Sequence, residues 1–179
     1  MTCSLTFSNN SEIKLRLVTF DGANFSATSS RPQREPQYAF LSNSTNGWRS
    51  NPNHDLPQTI IVTFPIKRKI GRISFLLRSD LNEPHKFPGE FQIVGTNQPL
   101  EFRNLEKLNI VKAKVDRLWT VLAHVKNGYK RDVYVADIPS CEFGEYQTYG
   151  IKFLRTIILS SDEDDSARVW RVKMWEVVE

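Results

Sequence analysis

The feature that most limits the fold is a succession of short apolar segments with no sustained helical stripe. Residues 13–20 set the pattern. Ile13, Leu15 and Leu17 alternate with Lys14 and Arg16, and Val18 and Phe20 follow. Side chains with a period of two belong to a half-buried strand, whereas an amphipathic helix needs a period of 3.6. Residues 59–64, 71–78, 91–95, 117–124, 131–136, 149–159 and 168–178 are likewise rich in β-branched and aromatic side chains. Residues 100–115 are ambiguous, because Leu105, Leu108 and Ile110 could share one face of a short helix. About eight antiparallel strands with little helix predict an all-β sandwich or jelly roll.

The connections carry their own signals. Residues 21–58 hold Pro32, Pro36, Pro52 and Pro57 with many Gly, Ser and Asn, and read as one long loop. A long ordered loop is functional or held by its own small core. Phe25, Tyr38, Phe40 and Trp48 favour such a core here. Residues 65–70 read as a short basic connection and 79–89, with Pro84, His85 and Pro88, as a loop. Asn127-Gly128 is the dipeptide of tight hairpin turns and is expected to join 117–124 to 131–136. Residues 160–166 carry the acidic run Asp162-Glu163-Asp164-Asp165, which reads as a solvated turn.

The totals exclude several classes. The 179 residues suit one domain with a real core. At 40% apolar and 11% aromatic, the chain is too rich in core-forming residues to be disordered. The net charge is +4, yet the densest basic cluster is only Lys67-Arg68-Lys69, too small for a nucleic-acid footprint. No stretch approaches the roughly 18 apolar residues of a membrane span. Residues 1–10 are polar, so no secretory signal is expected and synthesis is expected to be cytoplasmic. Cys3 and Cys141 have no metal spacing and are expected as free thiols. The acceptor-like tripeptides at Asn9, Asn24 and Asn43 are then chance matches.

The order of particular residues says more. Ala27-Thr28-Ser29-Ser30 precedes Tyr38-Ala39-Phe40-Leu41-Ser42-Asn43, then Gly47-Trp48-Arg49-Ser50, then Leu56-Pro57-Gln58 at a strand start. Phe91-Gln92-Ile93-Val94-Gly95-Thr96-Asn97, Trp119-Thr120-Val121-Leu122, the aromatic segment 146–153 and Val172-Lys173-Met174-Trp175-Glu176-Val177 follow. This series resembles the discoidin, or coagulation-factor type C, family and the related galactose-binding carbohydrate modules, over about residues 26–178. The resemblance implies a discoidin-like jelly-roll β-sandwich with a ligand site on loops at one end. The matching loops are about 22–34, 42–55, 79–88 and 141–148. The segment 99–116 is longer than the family's and reads as an insertion; its apolar residues would cap the sandwich or meet a protein partner.

Candidate site residues follow. Arg78, Asp80, Asn82 and His85 could hydrogen-bond sugar hydroxyls, Phe87 could stack on a ring, and Arg49 adds a further donor. Trp48, after Gly47, should plug the open end as a core residue; Trp119 and Trp175 are expected in the core, and Trp170 half exposed. The family's calcium site would map to Asn43, Thr45 and Glu176. Leu41 stands where that family has Asp, which leaves the set short of the six to eight oxygens calcium takes. No cofactor is otherwise implied. His54, His85 and His124 assemble with no nucleophile, and no phosphate loop or zinc-protease motif occurs, so a non-catalytic role is expected. The leading expectation is glycan or cell-surface recognition in a virion (phage tail-like) or adhesion setting. The alternative is an intracellular protein–protein domain within a larger assembly, such as a ciliary-type scaffold.

Overall fold

The computed structural model describes residues 13–41, 44–51, 56–76, 86–98, 119–126, 131–158 and 166–178. Ten strands lie among them. In chain order they are β1 (Lys14–Leu17), β2 (Asn24–Ala27), β3 (Trp48–Arg49), β4 (Gln58–Arg68), β5 (Ile70–Leu76), β6 (Lys86–Thr96), β7 (Thr120–Lys126), β8 (Val133–Asp137), β9 (Tyr146–Ile158) and β10 (Arg168–Val178). One single-turn helix, α1 (Gln37–Phe40), follows Pro36. All pairings are antiparallel. One sheet runs β1-β10-β5-β8, with β3 also on β10; the other runs β2-β4-β9-β6-β7.

Alternation sets the inward faces. Ile60, Val62 and Phe64 of β4, Phe91 and Ile93 of β6, and Tyr149, Ile151 and Phe153 of β9 meet Ile73, Phe75, Tyr134, Ala136, Val172 and Met174 of the other sheet in one core. Its centre is aromatic: Phe75 stacks on Tyr134 at 5.3 Å and meets Phe91 edge-on at 5.2 Å. Such pairs add about 0.5–1.5 kcal/mol each beyond their buried area.

The registers define two ends. Gln58 opposite Phe153, Lys86 opposite Ile158 and Trp170 opposite Leu76 mark one end. The loops after β2, β3, β5, β7 and β9 all leave from it. The β4–β5 crossover at Lys69 and the connections after β6 and β8 belong to the other. There, the Tyr149 hydroxyl donates to the Arg68 carbonyl at 2.6 Å and accepts the Ile70 N–H at 3.2 Å. Burial of the ring pushes its pKa up to about 12, so it stays a donor across the physiological range.

Several expectations change. The long loop 21–58 contains β2, α1 and β3; Phe40, stacked on Phe25 at 4.7 Å, and Trp48 belong to the main core rather than to a separate small one. Residues 65–68 prolong β4 rather than forming a basic connection. The strand expected at 91–95 runs from Lys86 to Thr96. β7 and β8 lie in different sheets, so Asn127-Gly128 does not close a hairpin between paired strands. Trp170 is buried at 5% exposure rather than half exposed, while Trp119 and Trp175 are only partly covered. The ambiguous segment 100–115, the expected insertion 99–116 and the acidic run 162–165 lie outside the described residues. Cys141 is disulfide-bonded rather than a free thiol. The sequence's other cysteine, Cys3, is outside the described residues.

Trp48 should dominate the stability of the loop end. Trp48→Ala is expected to cost about 3–5 kcal/mol in chemical denaturation. Trp48→Phe, which keeps most of the bulk and loses the indole N–H, should cost about 1–3 kcal/mol.

Candidate ligand-binding end

The loop end is built on Trp48, which is fully buried and stacks on Phe153 with centroids 6.1 Å apart. Its indole Nε1 donates to the Ser29 carbonyl at 3.0 Å and to Ser30 Oγ at 3.1 Å. The hydroxyls of Thr28 and Ser29 both donate to Gln58 Oε1, at 2.7 and 2.8 Å. Thr28 Oγ1 accepts the Thr59 N–H and Ser29 Oγ accepts the Asn51 N–H, each at 3.0 Å. The Thr-Ser-Ser run and the Pro-Gln strand start are therefore two halves of one polar clasp. Gly47 must be glycine. A Cβ there would sit 2.4 Å from both the Trp170 ring and the Val169 carbonyl.

Around this floor the end is rich in arginine. The Arg31 N–H donates to Arg49 O, the Arg34 N–H to Arg31 O, and the Arg49 N–H to Arg34 O. Arg49 lies opposite Arg168 in the β3–β10 register. The Arg34 guanidinium sits 5.8 Å from the Trp170 ring centroid. Arg49 Nε donates to the buried Ser166 Oγ at 3.0 Å, and Ser50 Oγ accepts the Ala167 N–H at 2.8 Å. These contacts tie β3 to the entry of β10. Arg34 joins this end without having been a candidate; it carries no motif, and the fold of 28–49 sets its guanidinium against Trp170.

The sequence candidates fare unevenly. Arg78, Asp80, Asn82, His85 and Asn43 lie outside the described residues. The described residues that flank 77–85 and 52–55 are both at this end, while His54 and His85 themselves lie outside the described residues. Phe87 is not a stacking platform: it is 4% exposed, because β6 starts earlier than expected and turns its ring inward. With Pro88, Phe153, Thr156, Ser166, Ala167 and Arg168 it lines a cleft of about 10 Å³, room for little more than one water. The loop 141–148 leads into β9 at the opposite end and does not join the cluster.

The calcium candidates do not converge. Thr45 is exposed at the loop end, and its carbonyl accepts Trp170 Nε1 at 3.4 Å. Glu176 is six residues further along β10, about 20 Å at strand rise. Its Oε1 takes Arg16 Nε at 2.9 Å and its Oε2 takes Arg68 Nη1 at 2.8 Å. Burial alone would raise the Glu176 pKa, but hydrogen bonds and charge from Arg16 and Arg68 outweigh it and hold the pKa below the ordinary carboxylate range. Glu176 is thus an ion-pair centre, not a cation ligand. Among the described residues, no group of three or more His, Cys, Asp and Glu could hold a metal ion.

No family model and no curated protein matches the sequence. Solved structures match its fold. The family 32 carbohydrate-binding module of NanJ from C. perfringens, solved in complex with galactose, is 16% identical, with a TM-score of 0.67 over 91% of this chain and 100% of that one. A second module, CpGH89CBM32-5 from Clostridium perfringens in complex with GalNAc-beta-1,3-galactose, is 11% identical, with a TM-score of 0.61 over 89% and 99%. An F5/8 type C domain from Bacteroides fragilis is 8% identical, with a TM-score of 0.60 over 92% and 98%. The chain therefore has the discoidin-like jelly-roll fold shared by these modules, as its ordered motifs imply.

The Glu176 assignment has a pH signature. Glu176→Gln should cost about 1–3 kcal/mol near pH 7. A depressed folded-state pKa contributes stability above the unfolded value, near 4.3, and loses it as pH falls through the folded value. The gap between wild type and variant in thermal unfolding should close below about pH 4. Any response of the melting temperature to calcium should be the same in both proteins; loss of such a response in the variant would return Glu176 to a cation site.

Proposed function

We propose that this chain is a non-catalytic carbohydrate-binding module whose ligand site is on the loops at the Trp48 end. The observation that carries the reading is the rigid floor beneath those loops. Trp48, Gly47 and the Thr28-Ser29-Gln58 clasp fix the departure of several chain segments on one side of the sandwich. Binding sites built on such a scaffold can vary in loop chemistry without disturbing the core. The likeness to modules solved with galactose and with GalNAc-beta-1,3-galactose supports sugar as the ligand class.

In this reading Arg78, Asn82 and His85 supply hydrogen bonds to sugar hydroxyls, with Arg49 and Asp80 beside them. Phe87 is removed from the contact set by its burial. Recognition of glycans on a cell surface, in a virion or adhesion setting, is the biological form of this proposal and rests on the sequence resemblance.

A broad glycan array tests it, followed by calorimetric titration of any hit. The expected result is specific binding by the wild type, weakened at least about tenfold by Arg78→Ala or His85→Ala, since each removes hydrogen bonds in a partly dry site. Ile66→Ser, at an exposed position near the far end of β4, should bind as the wild type does. A folded wild type that binds no glycan on the array contradicts the proposal.

A further inference from the structure

The far end holds a covalent tie whose other half follows from the sequence. Cys141 is disulfide-bonded, and the chain has two cysteines, so its partner within the chain is Cys3. Cys141 stands in a single 3-10 turn, Ser140–Glu142, between β8 and β9. The turn is held on both sides. Before it, the Ile138 N–H donates to the Gly71 carbonyl at 2.9 Å. Within it, the Glu142 N–H donates to the Pro139 carbonyl at 2.8 Å. After it, the Phe143 ring lies 6.0 Å from Lys69 Nζ.

The fold brings this turn close to β1. A Cβ at Gly71 would lie 3.0 Å from Leu15 Cδ2 and 3.6 Å from Phe143 Cζ. Leu15 of β1 and the residue two places after Cys141 therefore meet at one small patch. Cys3 precedes Ile13, the first described residue, by ten residues. Ten residues of extended chain reach about 33–36 Å, far more than that patch requires. β1 gains little from burial, since it is four residues long and Ile13 and Leu17 beside and within it are 51% and 53% exposed. Its Arg16 pairs with Glu176, but the arginine side chain is 69% exposed and such a pair holds weakly.

We propose that Cys3 and Cys141 form an intrachain disulfide that clamps the segment before β1 to the turn before β9, and that the chain works in an oxidising compartment. The bond forms by exchange. The two thiols give up two protons and two electrons to a disulfide oxidant, which leaves as its own two thiols. The bridge closes a loop that runs from before β1 to before β9, so it takes freedom mainly from the unfolded chain and favours the folded one. Disulfides of this structural kind persist where thiols are not kept reduced. Two free thiols would suit folding in the cytoplasm; the bond at Cys141 points to an exported or surface setting instead. The clamp stands at the end opposite the Trp48 loops. It is independent of the sugar reading, and each can fail alone.

The test starts from protein folded in a buffer containing oxidised glutathione. Thiol titration after denaturation without reductant should find neither cysteine free, and non-reducing electrophoresis should show a single chain. Reductant should release both thiols and lower the melting temperature by about 5–15 °C. The β1 amides that face β10 should then exchange at least about tenfold faster. Cys3→Ser and Cys141→Ser should each lower the melting temperature as reductant does, and reductant should change neither variant further. Circular dichroism confirms that each variant is folded. Two free thiols in the folded wild type, two chains joined by the disulfide, or reduced protein that melts and exchanges like the oxidised form would each overturn the proposal.

Discussion

The indole of Trp48 is the contact on which the loop end depends. It fills the space between the sheets against Phe153, and its N–H, buried with the ring, finds acceptors on the Ser29-Ser30 segment. Around it, Thr28, Ser29 and Gln58 share a single amide oxygen as hub, and Gly47 allows the chain to pass against Trp170. Five stretches of the sequence thus meet at one point. Remove the indole, and the floor beneath the loops loses both its filling and its hydrogen bonds.

The two ends of the sandwich are built by different means. The far end is closed by a buried tyrosine, a carboxylate between two arginines and a disulfide at Cys141, all of which hold chain to chain. The Trp48 end is tied by the indole, the Thr28-Ser29-Gln58 clasp and the close passage of Gly47 against Trp170. Glu176, which resembles a metal ligand by sequence position, serves the fold at the far end.

Where side chains alternate over seven or more residues, the strands are legible in the sequence. The bounds of β10 are expected to the residue, and β5 nearly so, because large inward residues recur every second position. β2 and β3 are too short for a period to show, and they hide among prolines and serines. β6 reads as shorter than it is because Pro88 and Gly89 look like loop residues, although a register shift accommodates them within the strand. That same misreading put Phe87 on the surface. The strand pattern gives a sandwich or jelly roll; its discoidin-like type is legible only through the order of its motifs, and the burial of Trp48 makes physical sense of that order. Arg34 was invisible because nothing local marks it; the fold of the long segment after β2 sets its guanidinium against Trp170.

Backbone amide shift mapping with a galactose titration tests the central claim most directly. Ligand at the Trp48 end should move the amides of Thr45, Asn46, Arg49 and Asn51 and leave those of Lys69, Gly144 and Gln147 in place. Shifts confined to the latter group would contradict the account.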